Sequence, residues 1–521
     1  MRSPCEASPD TISLSPAPGG EGSFCPRSRR RLVLIAAILA SALGFIDGSV
    51  VSIAIPAIRS DIGASLADAQ WISNAYALTL SALILVGGSA GDRFGLRRIF
   101  IAGIALFILA SLVCAAAPDA RFLILARAVQ GAGAAFMVPA SLAIIAKAYP
   151  KDERGRAIGI WAASSALTTA LGPVLGGLLL SAFDDSIWRA IFAINLPLGG
   201  VAILLLLKVP PDEATGQRNL DLIGAILAIV AFGSLAYGLT APTAEAHQTS
   251  GSTTIFMAGG LAALVGFIIW EAFQKTPMID LSLFRIGAFS GANAATFFLY
   301  FALSGILFYL PMLLIAGWGV AEATVGVLFL PLSLAIAALS GPVGHLSDRL
   351  GPRLPMTVGS MIVAVAFAGL AVAVGSGMHS FWFAVFPSMV VMGLGMALVV
   401  SPLSTAVMTS VEDADTGAAS GINNAISRVA GLIAVAAMGS LAAYRYASVL
   451  GDKAAAVPGF GESVGGLSPV LEAARLAASD AAFSAIAWAM AGLCVLSAAL
   501  SWITQRASGR DAAARTMAAR K

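Results

Sequence analysis

Charge is scarce in this chain: Asp, Glu, Lys and Arg make up 11% of 521 residues, against about 25% in ordinary soluble domains. Hydrophobic residues make up 58%, and the mean hydropathy is +0.88. Such a composition excludes a water-soluble globular domain and points to a polytopic membrane protein. Histidine and cysteine are scarcer still. Only His247, His345 and His379 occur, and the four cysteines are scattered, with Cys5 and Cys25 in a polar leader and Cys114 and Cys494 inside apolar runs. No metal-ligand or disulfide spacing results, so no metal and no other cofactor is expected. The pattern G-x-x-x-x-G-K-[ST] occurs nowhere, which removes a P-loop as an energy source.

What the chain has is long apolar runs. Fourteen fall at about 33–57, 71–90, 99–117, 122–146, 155–181, 189–208, 221–241, 254–274, 287–314, 322–344, 355–375, 381–408, 417–443 and 483–503. A bilayer takes about 20 residues to cross, whereas the core of a signal peptide takes about 7 to 15; the first run is therefore a retained helix. An even number of crossings puts both termini on one side. Arg29 to Arg31, Arg93, Arg97 and Arg98, Lys147 to Arg156, Lys208 and Arg218, Lys275 and Arg285, Arg349 and Arg353, and Arg506 to Lys521 all fall on that side. Only Arg59, Arg121 and Arg189 break the pattern in the short opposite loops. The positive-inside rule makes that side cytosolic and the membrane the inner, cytoplasmic one. Residues 1–31 and 506–521 read as cytosolic tails, the first disordered. Residues 444–482 read as the longest extramembrane segment, external and flexible or partly helical.

A ten-residue pattern occurs twice. Gly88, Asp92, Arg93, Gly95 and Arg97 are matched by Gly344, Asp348, Arg349, Gly351 and Arg353, an offset of 344 − 88 = 256 residues. Gly131-x-Gly133 returns as Gly393-x-Gly395, and Gly155-x-Ala157-x-Gly159 as Gly417-x-Ala419-x-Gly421, both offset by 393 − 131 = 262. Two halves in the same order and orientation form a parallel repeat, an architecture of secondary transporters. The expected fold is all-α: two six-helix bundles, 32–208 and 287–505, with two extra helices and their linkers, 209–286, between them.

These motifs resemble those of the major facilitator superfamily, in particular its fourteen-helix drug:proton antiporter branch, over about residues 33 to 503. Gly91-Asp92-Arg93-Phe94-Gly95-Leu96-Arg97-Arg98 is similar to the family's loop between helices two and three. Leu123, Arg127, Gln130, Gly131 and Gly133 are similar to its helix-four motif, and Gly172-Pro173-x-x-Gly176-Gly177 to the helix-five motif of antiporters. Asp47 with Val50-Val51 and Ala54-Ile55-Pro56 resembles the branch's helix-one motif, as do Trp188-Arg189 with Asn195-x-Pro197 at helix six, and Pro277 to Phe284 before helix nine. Leu96 and Pro352 stand where the family's loop often has a basic residue. The resemblance implies a carrier rather than an enzyme, exporting amphipathic organic compounds or drugs against protons by alternating access. Its expected partners are a small organic substrate, protons and the lipid bilayer, not nucleic acid, with the monomer as working unit. A narrow exporter of one metabolite or antibiotic, an importer, and a membrane-embedded enzyme or channel are the alternatives.

Charges within hydrocarbon cost about 2.5–3.5 kcal/mol each on insertion scales and point to function. Three stand out: Asp47, Arg127 and Arg428. At about 1.5 Å per residue, Asp47 lies roughly 9 Å from the outer surface of a ~30 Å core, and Arg127, entering from outside, roughly 8 Å from it. A carboxylate that pairs with an arginine in one conformation and opens in another can carry a proton; a static ion pair is the alternative. Arg428, beside Asn423 and Asn424, can meet substrate, backbone carbonyls or an acid of the first half. Asp92 and Asp348 are expected to accept hydrogen bonds from a neighbouring helix N-terminus and favour one closed state. Gly172, Pro173, Gly176 and Gly177 read as a close-packed outer gate or as ordinary helix packing. Phe45, Trp71, Tyr76, Trp161, Phe297, Phe298, Tyr300, Phe301 and Tyr309 are candidates for a greasy cavity, with membrane packing as the alternative. Glu271 reads as solvated or snorkelling at the end of helix eight, and His345 as a tolerated variant of the loop motif.

Overall fold

The computed structural model describes residues 25–212, 220–244, 250–274, 277–412, 415–462 and 466–505. Of the disordered tail expected at 1–31, residues 1–24 lie outside the described residues, while Arg27 to Arg31 belong to the first helix and correct that expectation; residues 506–521, Arg218 and Lys275 also lie outside the described residues. Fourteen helices are long and apolar enough to cross a membrane, and no strand occurs among the described residues. They are α1 (Arg27–Ile62), α2 (Leu66–Phe94), α3 (Leu96–Ala115), α4 (Ala120–Ala148), α5 (Glu153–Ala182), α6 (Asp185–Leu207), α7 (Leu222–Thr240), α8 (Thr253–Phe273), α9 (Gly287–Gly317), α10 (Glu322–Leu350), α11 (Arg353–Gly375), α12 (Phe381–Thr409), α13 (Thr416–Ala456) and α14 (Pro469–Thr504). Each expected span is present, and the chain is a multi-pass membrane protein.

Local signals set the helix ends. Ser65 and Asp68 form a reciprocal capping box at the start of α2, and the side chains of Asp119 and Ser468 accept from Phe122 and Leu471 to start α4 and α14. Gly63, at φ +63°, stops α1. Of the two readings of segment 444–482, the partly helical one holds: α13 runs on through Ala456 and α14 begins at Pro469. Hydropathy marks only what lies in lipid, whereas Leu471-Glu472-Ala473-Ala474-Arg475-Leu476 is a run of strong helix formers that continues beyond it. Arg475 then anchors the extension, donating to the carbonyls of Ala316 and Gly317 at 3.0 Å each and so satisfying the end of α9.

Two six-helix bundles, α1–α6 and α9–α14, carry the repeat, and α7 and α8 form a hairpin between them in sequence. On the hairpin's side, Trp71 of α2 donates to Thr240 of α7 at 3.1 Å, and Leu78, Ala236, Leu432 and Ala436 make one buried cluster joining α2, α7 and α13. The bundles are joined most firmly at the end away from the termini. There Arg59, buried at the end of α1, donates to the Phe460 carbonyl at 2.8 Å and pairs with Glu462. Gln70 of α2 donates to the Tyr309 hydroxyl at 2.6 Å and to the Val435 carbonyl at 2.8 Å. Toward the termini α5 and α10 instead expose Arg156, Gly159 and Ile160, and Gly341, His345 and Leu346. The molecule is sealed at its far end.

Candidate functional site

Two helices bring an acid and a base together at the depth the sequence assigns them. Asp47 on α1 is 1% exposed and Arg127 on α4 is 2% exposed. Arg127 Nη1 donates to Asp47 Oδ2 at 2.5 Å and to Gln130 Oε1 at 2.6 Å, while its Nε donates to the Ile72 carbonyl at 3.1 Å. Gln130, one turn along α4, returns a hydrogen bond to Asp47 Oδ1 at 3.0 Å and reaches Ser111 at 3.2 Å. Asn195 of α6 donates to the same Ser111 hydroxyl at 2.8 Å. Burying two charges is costly unless their remaining hydrogen bonds are met, and here α1, α2, α3, α4 and α6 all contribute to meeting them. The guanidinium also lies 4.3 Å from the ring centroid of Tyr76, a favourable stack over the π-face.

Glycine makes this approach possible. A Cβ on Gly131 would lie 2.3 Å from the Tyr76 carbonyl oxygen, and one on Gly133 2.6 Å from the Phe107 nitrogen. The helix-four glycines therefore let α4 press against α2 and α3. Gly48, beside Asp47, is exposed, and a Cβ there would meet nothing within 4 Å. Ser111 is the network member that sequence reasoning missed: a single hydroxyl in an apolar run carries no signal until its neighbours are known.

The second bundle holds its cation differently. Arg428 is half-buried on α13, and neither it nor the Asn424 side chain makes a hydrogen bond or ion pair among the described residues. Its field reaches the phenols of Tyr76 and Tyr300. Neither a carbonyl nor a first-half acid partners it among the described residues. Asn423 is occupied, donating to Asn293 at 3.0 Å and Thr296 at 2.7 Å and tying α13 to α9. Among the aromatics, Phe45 and Phe298 are half-buried, Trp161 donates to Ser41 at 2.8 Å, Tyr309 is fully buried in the seal, and Trp71 packs against Tyr237 of the hairpin.

Both copies of the loop motif turn on the same glycine. Gly95 has φ +93° and Gly351 φ +77°, a region that disfavours any residue with a Cβ. Asp348 departs from expectation, and the α3 N-terminus is met by an acid the sequence did not single out: Asp212 accepts from the Leu96 and Arg97 amides at 2.9 Å each, and Lys147 lies 3.5 Å from it. Asp348 is exposed and has no partner among the described residues. Arg97 donates to the Leu206 carbonyl at 2.8 Å, and Arg353 stacks on Trp502 at 3.7 Å. His345 is exposed. Asp212 follows Pro210-Pro211 in a loop, where no periodicity marks it.

At the far end the helix-five motif makes direct backbone contact with the second bundle. A Cβ on Gly177 would lie 2.3 Å from the Glu322 carbonyl oxygen, and one on Gly326 of α10 2.6 Å from that of Pro173. A Cβ on Gly176 would lie 2.4 Å from Val50 of α1, and one on Gly172 3.4 Å from Ile46. Glu271 requires a correction. It is not solvated but 2% exposed, because the chain folds back after α8 and the Ile279 amide donates to its Oε2 at 3.0 Å.

Comparison with known proteins agrees with this architecture. The model of the Major Facilitator Superfamily matches residues 37–435 and 292–519. The chain is 34% identical to Multidrug resistance protein Stp of Mycobacterium tuberculosis over 82% of its own length and 79% of that protein's. It is 32% identical to Puromycin resistance protein pur8 of Streptomyces alboniger over 93% of each. It is 30% identical to the Tetracenomycin C resistance and export protein of Streptomyces glaucescens, over 85% of this chain and 81% of that one. Among solved structures, a D-xylose-proton symporter superposes with a TM-score of 0.62 at 15% identity, covering 92% of this chain and 98% of that one. That likeness concerns the fold. With its duplicated bundles, its inserted hairpin and its resistance-protein relatives, the chain belongs to the Major Facilitator Superfamily as a fourteen-helix member.

Proposed function

We propose that this protein exports amphipathic organic compounds in exchange for protons, working as a monomer in the cytoplasmic membrane with both termini cytosolic. The observation that carries the reading is the fully buried pair of Asp47 and Arg127, set in a chain whose relatives are named for drug and antibiotic resistance. Arg127 pairs with Asp47 while the site is closed. When the bundles rock and the pair opens, a buried carboxylate without its cation takes up a proton. Alternation between those states couples proton entry to substrate exit. The loop motifs and the glycine seam serve the two closures, Gly95 and Gly351 by shaping the turns and Gly172 to Gly177 by sealing the far end.

Arg428 supplies the substrate contact. A half-buried guanidinium needs an acceptor, and Asp47 is already paired. The central space therefore favours compounds bearing carbonyl, phenol or carboxylate oxygens over lipophilic cations. The names of the tetracenomycin C and puromycin proteins favour a second reading, export of one antibiotic; a panel of compounds tested in a host stripped of its own pumps separates broad from narrow. The decisive experiment is substrate-induced proton movement in proteoliposomes. Asp47→Asn should exchange substrate down its own gradient yet lose proton-driven accumulation. Wild-type proton movement in that variant places the coupling residue elsewhere.

A further inference from the structure

The inserted hairpin buries two carboxyl groups against each other. Asp221, at the start of α7, is 6% exposed and Glu271, near the end of α8, is 2% exposed. A Cβ built on Gly224 would lie 2.7 Å from Asp221 Oδ2 and 2.7 Å from Glu271 Oε1, so both oxygens face one point. Donors cover the other oxygens. Gly224 N–H and the Trp270 indole reach Asp221 Oδ1 at 2.8 and 3.0 Å, the indole also reaches Oδ2 at 3.2 Å, and Ile279 N–H reaches Glu271 Oε2. Glu271 Oε1 has no hydrogen-bond donor among the described residues. Met278 and Ile279 line the site from the segment leading to α9, and Phe267 and Ala82 lie in the apolar cluster beside it. No Lys, Arg or His pairs with either acid among the described residues.

Two ionised carboxylates in this position repel each other, and the oxygen facing the neighbouring acid is the one lacking a donor. A single proton resolves both conditions: it stays bonded to one carboxyl and is donated to the other. We propose that Asp221 and Glu271 form a proton-binding pair that clasps α7 to α8 and, through Ile279, ties the hairpin to the chain entering the second bundle. The site is separate from Asp47. Loss of its proton leaves two like charges in contact and loosens the clasp.

The test uses the full chain in lipid nanodiscs and does not require transport, so it stays readable whatever Asp47 does. The folded pair holds a proton that the solvated carboxyls of the unfolded chain release. The folded state thus binds more protons, and stability falls as pH rises. From mildly acidic to mildly alkaline pH, the melting temperature of wild type should fall more steeply than that of Glu271→Gln, whose amide is a permanent donor. Asp221→Asn should flatten the profile in the same way, and serves if the first variant folds poorly. A carboxylic C=O infrared band at mildly acidic pH should be present in wild type and diminished in both variants. Equal slopes in all three proteins overturn the proposal. A wild type more stable at alkaline pH, or one lacking the band, overturns it as well.

Discussion

The two bundles share a backbone plan but divide their charges unequally. In the first, Asp47 and Arg127 neutralise each other within a network of Gln130, Ser111 and Asn195. In the second, the corresponding positions are tied by the uncharged Asn293, Thr296 and Asn423, and Arg428 beside them has no partner among the described residues. The loop motifs diverge likewise, the first being held by Asp212 while Asp348 stands exposed. Duplication thus preserved what shapes the backbone, above all Gly95 and Gly351, and released the ionisable positions to specialise. On the proposed function, one half manages the proton while the other meets the cargo.

That contrast can be broken most forcefully at Arg127. Arg127→Ala leaves Asp47 buried without its cation and should destabilise the protein by about 3–5 kcal/mol, read as lower abundance and melting temperature in detergent. Adding Asp47→Asn should recover much of the loss; a double variant as unstable as the single one would deny that the two charges act as a pair. Arg428→Ala should spare stability and instead weaken a carboxylate-bearing substrate by roughly 1.5–3 kcal/mol, leaving a cationic analogue of the same ring system unaffected. Equal losses for both analogues would remove the division of labour. Gly177→Ala forces a methyl onto the Glu322 carbonyl and should cost the sealed state about 1–3 kcal/mol, measured as faster thiol labelling of a cysteine placed at Ala69 in a cysteine-free background. Unchanged labelling would show that the seam does not govern closure. The smallest effect separates the loops. Asp212→Asn should cost about 1 kcal/mol at the α3 terminus, against less than about 0.5 kcal/mol for Asp348→Asn at an exposed site; comparable losses would restore the symmetry of the two loops.

Much of this was legible in the sequence, for identifiable reasons. Spans are legible because lipid demands continuous apolar runs, and the meeting of Asp47 with Arg127 because depth along a helix is linear in residue number. Arg428's isolation was not legible, since it depends on what three other helices fail to present. Asp221 and Glu271 escaped because their contact depends on the chain turning back at 277–280, and Asp212 because loops carry no period. For the 444–482 segment the sequence left flexible and partly helical readings open, because helix propensity continues past the hydropathy signal.

The seam between α5 and α10 has a consequence for speed. Gly177 and Gly326 bring bare peptide planes together, and the side chains that join them across the seam, Ser181 with Glu322 and with the Ala323 amide, are small or partly exposed. A seal of interdigitated leucines would have to repack like a zip; these two faces part with little repacking. The slower part of opening the far end then falls to the buried contacts of Arg59 and Gln70.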